Sequence, residues 1–444
     1  MTAVEILADW CAGLAWEDIP GTLQAKAQDH LLDTLGAAIA GRNSEPVRIA
    51  EQVFATLGQV RLLTAGMPRE LRDAARINAI SAHALEIDDT EGCDHSGAVV
   101  VPVVMALQDA QTGVGGSRML TALVAGYEVG RRVQLSLGGY NAHNDSGWHS
   151  TATCGVFAAA AAAAVMLGLD AGQAASALAI AASSSAGGWA FARDGAITKQ
   201  LHPGNAAANG IDAARLAAAG ASGPLNIFEP VWGGLFQTHG NATASPGELT
   251  RGLGTTWHFS HSAIKPYASC RSTHSAIDAV LELLEDGCLR PDDITGLEVE
   301  VTSFLLPMIC PDRPATVSAA RMSLPVCLAL LLQGRALTPA DFDLFATPAT
   351  TAWLQRTTVV VNDDDPAAEP LVRLRTTAGT FSNRHTTARG SAPLALSTAE
   401  VEAKFDELVR EHVGIATAEA IKRFVRELPA TPSPHFPEMA TDRT

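Results

Sequence analysis

The chain has 444 residues, of which 47% are hydrophobic and 18% are charged, and its 31 basic and 47 acidic residues give a formal net charge of −16. This composition is typical of a globular protein with a large core and excludes a disordered chain. The acidic balance argues against nucleic acid or an anionic membrane as a partner, because phosphate groups are bound by clustered lysine and arginine.

The seven cysteines form no CxxC pair. An odd number of scattered thiols is typical of a reducing compartment and not of a disulfide framework. The first ten residues, MTAVEILADW, include acidic residues and lack the basic start of a secretory signal peptide. We therefore expect a cytoplasmic protein with reduced cysteines.

Most of the first 255 residues predict successive α-helices, because apolar residues recur at spacings of three and four, as in LQAKAQDHLLDTLGAAIAG (23–41). The uncharged run STATCGVFAAAAAAAVMLGL (150–169) is long enough to cross a membrane. Its alanines gain little from lipid and its flanks lack basic anchors. We therefore predict a helix that is buried in the protein core.

The pattern changes near residue 263, where period-two alternation predicts β-strands at 296–304, 357–362 and 371–385. A capping-box motif, Ser397 to Glu400, then precedes a further helical segment over 397–428. The predicted fold is mainly α. A large all-α helical domain, 1–260 and 395–444, carries an inserted smaller α+β lid domain, 263–392.

Titratable side chains are concentrated in EIDDTEGCDHSGAVVVPVV (86–104), where several acids, a threonine and a histidine precede a purely apolar run. A carboxylate beside a histidine can orient the imidazole and raise its basicity. A solvated acidic turn is the alternative. We favour a functional loop, because the segment enters the predicted core and clustered titratable groups mark functional sites.

A second segment, GWHSTATCG (147–155), places His149 where the apolar helix is predicted to begin. A helix N-terminus lowers the pKa of a histidine and keeps the imidazole neutral, so that it can act as a base. The segment alone is equally compatible with a capping or merely exposed histidine.

A third segment, TKQLHPGNAAANGIDAARLAAAG (198–220), has Lys199 and His202 just before Pro203 and Gly204. We predict that Gly204 leads a turn into an Ala-rich helix and that the free backbone N–H groups there bind a carboxylate or phosphate. The P-loop spacing is absent.

The fourth segment is HFSHSAIKPYASCRSTH (258–274). Its His258, His261, Cys270 and His274 match none of the strong zinc spacings, so we expect no metal here. Cys270 and His274 could form a nucleophilic pair, although neighbours in sequence say little about such sites. Lys265 stands at the junction of the two predicted domains, with Arg271 nearby, and suits an anionic substrate in the cleft.

The chain resembles the MmgE/PrpD family over nearly its whole length. The resemblance rests on ordered, independent segments: NAISAHALEIDDT (78–90) with His95 and Pro102, GWHSTATCGVFAAAAAAAVMLGL, TKQLHPGNAAANGIDAARLAAAGASGP, IKPYASCRSTHSAIDA (264–279), AARMSLPVCLALLLQG (319–334) and RGSAPLALSTAEVEAKF (389–405). It implies a homodimer of all-α domains with α+β lids, and a site between the domains that needs no metal or organic cofactor.

The resemblance also implies the site residues, which are Glu86, Asp89, Thr90, His95, His149, Lys199 and Lys265. We assign Lys199 and His149 as the acid/base pair, with Asp89 orienting them. We expect the remaining residues and Gly204 to bind a di- or tricarboxylate. Both lysines suit the charge of an enediolate. Two lysines in one dry pocket would also lower each other's pKa, so that one could serve as a base.

Members of the family include 2-methylcitrate dehydratase, cis-aconitate decarboxylase and iminodisuccinate epimerase. This chain departs from the usual pattern by Glu86 in place of aspartate, Ser96 in place of proline, and Val326 in place of tyrosine. Loss of that phenol removes a proton donor, so the sequence favours an iminodisuccinate epimerase over the two lyases. A non-catalytic dicarboxylate-binding protein with the same fold is the alternative from another class.

Overall fold

The structure is a computed structural model that describes residues 1–285, 289–310 and 314–439. The six cysteines among these residues are all free thiols, as the sequence predicts, and Cys288 lies outside the described residues.

Helices make up most of the chain before residue 240, and α2 coincides with the periodic segment 23–41. Their bounds in chain order are α1 (Ala3–Gly13), α2 (Gly21–Gly41), α3 (Glu45–Val53), α4 (Leu71–His83), α5 (Ser96–Ala110), α6 (Gly116–Ser136), α7 (Gly139–Asp145), α8 (Ser150–Thr153), α9 (Gly155–Leu167), α10 (Ala171–Ala181), α11 (Phe191–Asp194), α12 (Thr198–Ala218) and α13 (Leu235–Thr238). A short strand, β1 (Leu57–Val60), lies between α3 and α4.

Helix α9 forms the centre of this part, with α5, α6, α10 and α12 packed around it. Among the described residues, one helical run, Ser150–Leu167, is long and apolar enough to cross a membrane, but 89% of it is buried inside the fold. Small side chains allow this burial, because Gly130 of α6 and Gly210 of α12 lie against Ala158 and Ala159. The run is therefore the core helix that the sequence predicts.

The second part begins with α14 (His274–Glu285) and contains the four-stranded sheet. The elements that follow it in this part are β2 (Ile294–Val301), α15 (Leu306–Ile309), α16 (Val317–Arg321), α17 (Leu324–Leu331), α18 (Pro348–Leu354), β3 (Thr357–Val361), β4 (Leu371–Thr376) and β5 (Gly379–Asn383). The last helix of the chain is α19 (Thr398–Glu427). The strand order is β3-β2-β4-β5; β2 is parallel to β3 and antiparallel to β4, which pairs with β5. A mainly α protein with a small sheet is confirmed.

The two faces of the sheet differ. On β2, Leu297, Val299 and Val301 are buried, whereas Glu298 and Glu300 on the opposite face form ion pairs with Arg373 of β4. This alternation is the period-two pattern by which the sequence predicts the strands.

Helix α19 returns to the helical part and packs against α2. Lys404 binds Asp33, and Gln28 donates a hydrogen bond to the carbonyl of Val425 at 2.8 Å. The helix is interrupted at Gly414, whose φ is 75°. These contacts support grouping 395–444 with the N-terminal helices, while the domain boundaries and the role of the α+β part as a lid stay predictions.

We predict that Gly210→Ala lowers the free energy of unfolding by about 1–3 kcal/mol, the usual cost of overpacking a core. The new Cβ would lie 2.3 Å from the Ala159 Cβ, and this clash outweighs the gain of up to ~1 kcal/mol in helix propensity. Gly13→Ala is the matched control, because nothing lies within 4 Å of its Cβ position. Equal urea-denaturation midpoints for the two variants would contradict this account of the α9–α12 contact.

Candidate active site

The loop between α4 and α5, residues 84–95, carries four buried acidic residues, Glu86, Asp88, Asp89 and Asp94. Three of its side-chain-bearing residues have left-handed backbone conformations: Glu86 (φ 56°), Glu91 (φ 60°) and Asp94 (φ 83°). Such conformations are uncommon outside glycine and cluster at functional sites. They turn consecutive side chains of this loop in different directions.

Glu86 lies at the centre of a buried ionic cluster. Lys199, the second residue of α12, donates a hydrogen bond from Nζ to Glu86 Oε1. Lys265 Nζ lies 3.5 Å from Glu86 Oε2 and 3.7 Å from Asp88 Oδ1. All four side chains are at most 3% exposed, so each charge depends on its partners for compensation.

The segment that carries Lys265 is held against the loop by backbone pairing. Thr90 and Ala263 exchange two N–H···O=C hydrogen bonds, each 2.8 Å long. This pairing brings Lys265 beside Glu86, as the resemblance implies for the two site residues.

The charges fix the protonation of Glu86 and Lys199. Burial alone would raise the pKa of Glu86, but the ammonium groups of Lys199 and Lys265 outweigh it and hold the pKa well below its usual value. Burial likewise lowers the pKa of Lys199, but Glu86 more than offsets this, and the net shift is upward. Because the carboxylate lies between the lysines, the expected mutual lowering of their pKa values does not hold for Lys199. Lys199 is therefore held in its charged, protonated form.

Histidines and carboxylates extend the cluster from Asp88. Asp88 Oδ2 lies 2.8 Å from His83 Nδ1 and 3.1 Å from His95 Nδ1. On its other side, His95 Nε2 lies 3.5 Å from Asp94 Oδ1, and Asp94 Oδ2 lies 3.4 Å from His149 Nε2. The carboxylates and imidazoles thus alternate through the site.

His149 is fully buried at the residue before α8, where the sequence places it. Its Nδ1 lies 2.8 Å from His202 Nδ1, so one of the two rings must donate to the other. Burial lowers the pKa of His149 to about 3, although Asp94 opposes the shift. Burial also lowers the pKa of His202 to about 4. His149 is therefore neutral, as expected, but so low a pKa makes it a weak base.

A cavity of about 310 Å³ opens beside Thr90 and Asp94, at the small end of the usual range for ligand pockets. The α+β part contributes the opposite wall, from Thr302 to Leu305 and from Pro366 to Glu369. Arg131, Arg271 and the phenol of Tyr140 also line it. Burial holds the pKa of Tyr140 well above its usual value, so the phenol stays protonated.

A larger cavity of about 890 Å³ lies elsewhere, beside Arg321 and Gln200. None of the residues of the ionic cluster lines it. The smaller cavity is the better candidate for a substrate site, because Asp94, which lines it, contacts His95 and His149.

Two residues assigned from the sequence lie in other surroundings than expected. The Asp89 carboxylate faces away from His149 and accepts hydrogen bonds from the Tyr127 hydroxyl (2.7 Å) and the Gly97 N–H (2.9 Å), while its backbone carbonyl lies 2.8 Å from His95 Nδ1. Gly204 leads no turn, because α12 already begins at Thr198 and Gly204 is buried within it. Its Cβ position would meet Ile80 of α4 at 2.7 Å, so Gly204 serves close helix packing and offers no anion site.

The stretch 258–274 contributes Lys265 to the cluster and Arg271 to the cavity wall. His258 and His261 lie on a 3₁₀ turn at the surface, and His274 Nε2 contacts the Ser269 carbonyl at 3.2 Å. Burial raises the pKa of the Cys270 thiol, which argues against a nucleophilic thiolate.

The sequence analysis did not place four residues in the site: His83, Asp88, Asp94 and Tyr140. His83 and Asp88 stand within the quoted motif, and a buried carboxylate beside a histidine was the available signal for Asp94. Nothing in the sequence signals Tyr140, which reaches the cavity through tertiary folding alone. It supplies a phenol at the site although residue 326 is valine, and Val326 itself is fully buried in α17.

The ring nitrogens of His83 and His95 and a carboxylate oxygen of Asp88 lie within 4.8 Å of one another, a spacing compatible with a metal ion. A cation there would lie beside the Lys265 ammonium, which is 3.7 Å from Asp88. Asp88 also already contacts both imidazoles. We assign no metal to this group, and metal independence stays a prediction.

Comparison with known families identifies the chain. The family model of the MmgE/PrpD N-terminal domain matches residues 5–246, and that of the MmgE/PrpD C-terminal domain matches residues 267–430. The chain belongs to the MmgE/PrpD family. The predicted family is therefore confirmed.

The names of several curated relatives of this MmgE/PrpD protein refer to cis-aconitate decarboxylase. A cis-aconitate decarboxylase of Aspergillus terreus is 31% identical over 291 residues, which are 62% of this chain and 59% of that enzyme. The cis-aconitate decarboxylase of Homo sapiens is 29% identical over 434 residues, 91% of this chain and 87% of that enzyme. A cis-aconitate decarboxylase-like protein of Aspergillus oryzae is 28% identical over 381 residues.

We predict that the protein loses stability as the pH falls from about 6.5 to 4. This interval lies between the ordinary pKa of a histidine and the lowered pKa of the buried histidines. The unfolded chain takes up protons at His149 and His202 in this interval, whereas the folded protein does not, because burial lowers their pKa values to about 3 and about 4. Each such histidine contributes about 1.4 kcal/mol per pH unit. Asp89, whose pKa burial raises to about 7, opposes the trend in this interval, whereas the raised pKa of His95 changes stability only above about pH 6.5.

The test is urea denaturation as a function of pH. His149→Gln should flatten the dependence, and the exposed His261→Gln should leave it unchanged. Identical slopes for wild type and His149→Gln would refute the buried, neutral state of His149.

Proposed function

We propose that the protein is a cofactor-independent lyase that decarboxylates a small unsaturated polycarboxylate of the cis-aconitate type. The observation that carries the proposal is the ion pair of Lys199 with the buried Glu86, which keeps the lysine protonated within the cluster. The names of the relatives point to the same chemistry.

Decarboxylation of cis-aconitate requires an acid and no base. The bond between the CH₂ carbon and its carboxylate breaks and CO₂ leaves. The released electron pair forms a new C=C bond between the CH₂ carbon and the central carbon, the π pair of the former C=C bond moves to the carbon α to the far carboxylate, and that carbon takes up a proton. The site must therefore hold anionic carboxylates and donate one proton.

The site meets both requirements. Lys199 and the phenol of Tyr140 are protonated donors, and the pKa of His95 is raised, because Asp94 and Asp88 outweigh the effect of its burial. Arg131 and Arg271 give the cavity wall positive charge for substrate carboxylates. The potential bases are weak, since the pKa values of Glu86, Asp94 and His149 are all lowered.

The epimerase prediction fits this protonation pattern less well. An epimerase removes an α-proton on one face and returns one on the other, so it needs a competent base. Of the proposed pair, Lys199 is charged and His149 is a weak base. The curated relatives give no support to iminodisuccinate as substrate, and Tyr140 supplies the phenol whose loss motivated that prediction.

We expect the purified protein to release CO₂ from cis-aconitate and, in D₂O, to give a five-carbon product with one deuterium on a carbon α to a carboxylate. ¹H and ¹³C NMR of the product measures both. Parallel incubations use 2-methylcitrate and a single stereoisomer of iminodisuccinate. Inversion with deuterium exchange and no CO₂ would establish the epimerase instead, loss of water the dehydratase, and binding without turnover the non-catalytic protein.

Lys199→Met should lower kcat by at least about 10²-fold, the scale expected when a general acid is removed. This change leaves Glu86 buried with one cation fewer, so loss of folding could mimic loss of catalysis. The double variant Lys199→Met/Glu86→Gln removes both charges of the pair and should recover stability without recovering activity. Lys422→Met, on the surface of α19 and paired with Asp406, is the control that should remain active. Activity of the double variant near that of wild type would contradict the role of Lys199.

A further inference from the structure

Asp94 holds a single carboxylate between two imidazoles at the wall of the cavity. Its Oδ1 lies 3.5 Å from His95 Nε2 and its Oδ2 lies 3.4 Å from His149 Nε2. The hydroxyl of Thr151 also donates to Oδ2, at 3.2 Å. The side chain is 4% exposed, and the residue adopts a φ of 83°. An acidic residue in this backbone conformation is costly, which points to a function for its position.

Asp94 is also the link between two halves of a longer array. On one side, His149 Nδ1 lies 2.8 Å from His202 Nδ1. On the other side, His95 Nδ1 lies 3.1 Å from Asp88 Oδ2, which contacts His83 Nδ1 at 2.8 Å. Without the Asp94 carboxylate, no side chain of this array joins His95 to His149. The array is then divided into one group of His83, Asp88 and His95 and another of His149 and His202.

We propose that Asp94 is a positioning residue of the reaction, whose carboxylate orients His95 and His149 and joins them into one relay that returns a proton to the cavity after each turnover. The role in turnover rests on the proposed decarboxylation, which consumes one proton per cycle. The coupling of the two rings by Asp94 does not depend on the substrate.

The surrounding charges make the two rings different. His95 faces the carboxylates of Asp94 and Asp88, the Lys265 ammonium and the ring of His83. Burial lowers the pKa of His95, but the two carboxylates outweigh it and the net shift is upward. His149 faces Asp94, His202 and Lys199, and burial dominates there. One ring is therefore a proton donor and the other a neutral acceptor, as a relay requires.

Loss of the Asp94 charge should lower the pKa of both rings, because Asp94 raises each of them. The charged form of His95 would then be lost at a lower pH. If His95 must be protonated, the alkaline limb of the kcat/KM profile moves to lower pH by the same amount. A residue that served only to shape the loop would leave both titrations unchanged.

The chain offers two variants that keep the loop conformation. Asparagine tolerates a positive φ better than other side chains, and glycine adopts it freely. Asp94→Asn and Asp94→Gly therefore both remove the charge without new backbone strain. Asp145→Asn, an exposed carboxylate at the end of α7, is the control for loss of one negative charge.

The experiment is a pH titration of ¹⁵N-histidine-labelled protein by NMR, with the His95 signal assigned from His95→Gln. We expect His95 to titrate about one pH unit lower or more in both Asp94 variants, the size of a neighbouring-charge effect. Asp145→Asn should titrate as wild type does. We also expect kcat for cis-aconitate to fall at least about 10-fold, with the alkaline limb shifted in parallel.

An unchanged His95 titration in both Asp94 variants would overturn the proposal. A shifted titration with wild-type kcat would overturn it as well, because Asp94 would then not act on the reaction. The titration needs no substrate. If wild type fails to release CO₂ from cis-aconitate while the His95 shift is present, the proposed decarboxylation fails and the coupling of the rings by Asp94 stands.

Discussion

The buried carboxylate of Glu86, shared by Lys199 and Lys265, is the interaction on which the site depends. Removing a charge from water costs several kcal/mol, and an unpaired buried charge is strongly destabilising. Each of these residues comes from a different part of the chain: the α4–α5 loop, α12 and the segment before α14. Their mutual compensation therefore fixes the relative positions of these three elements.

The same interaction decides what chemistry the site favours. A lysine isolated in a dry pocket would lose its proton and become a base. Beside Glu86, Lys199 instead keeps its proton, and Asp88 and Asp94 have a comparable effect on His95. His149 and His202 stay neutral, because the effect of burial dominates at both and outweighs that of Asp94 on His149. The result is a site with several acids and only weak bases, which suits protonation of a carbanion left by departing CO₂.

The sequence predicts the periodic elements well and the loops poorly. The segment 23–41 is a helix and the segment near 296–304 contains β2, as their apolar periodicity predicts. The grouping of Glu86, His95, His149, Lys199 and Lys265 followed from the family resemblance, and no spacing rule would have brought together residues so far apart in sequence.

The errors have physical causes. Asp88 and Asp89 are neighbours, but only the backbone conformation of the loop determines which one faces the histidines. The prediction that Gly204 leads a turn rests on the preceding Pro203, yet α12 begins at Thr198 and continues through this proline. Asp94 depends on a left-handed conformation that no local pattern of residue types specifies.

The most direct test of the account is the protonation state of Lys199, measured by NMR of protein labelled with ¹³C at the lysine Cε. The chain has only five lysines, so each signal can be assigned from a single lysine variant. We predict that Lys199 titrates above the ordinary pKa of a lysine side chain, because the Glu86 carboxylate stabilises its charged form. Titration of Lys199 near neutral pH would contradict the account, because the site would then contain a strong base and the reasoning that favours decarboxylation over epimerisation would fail.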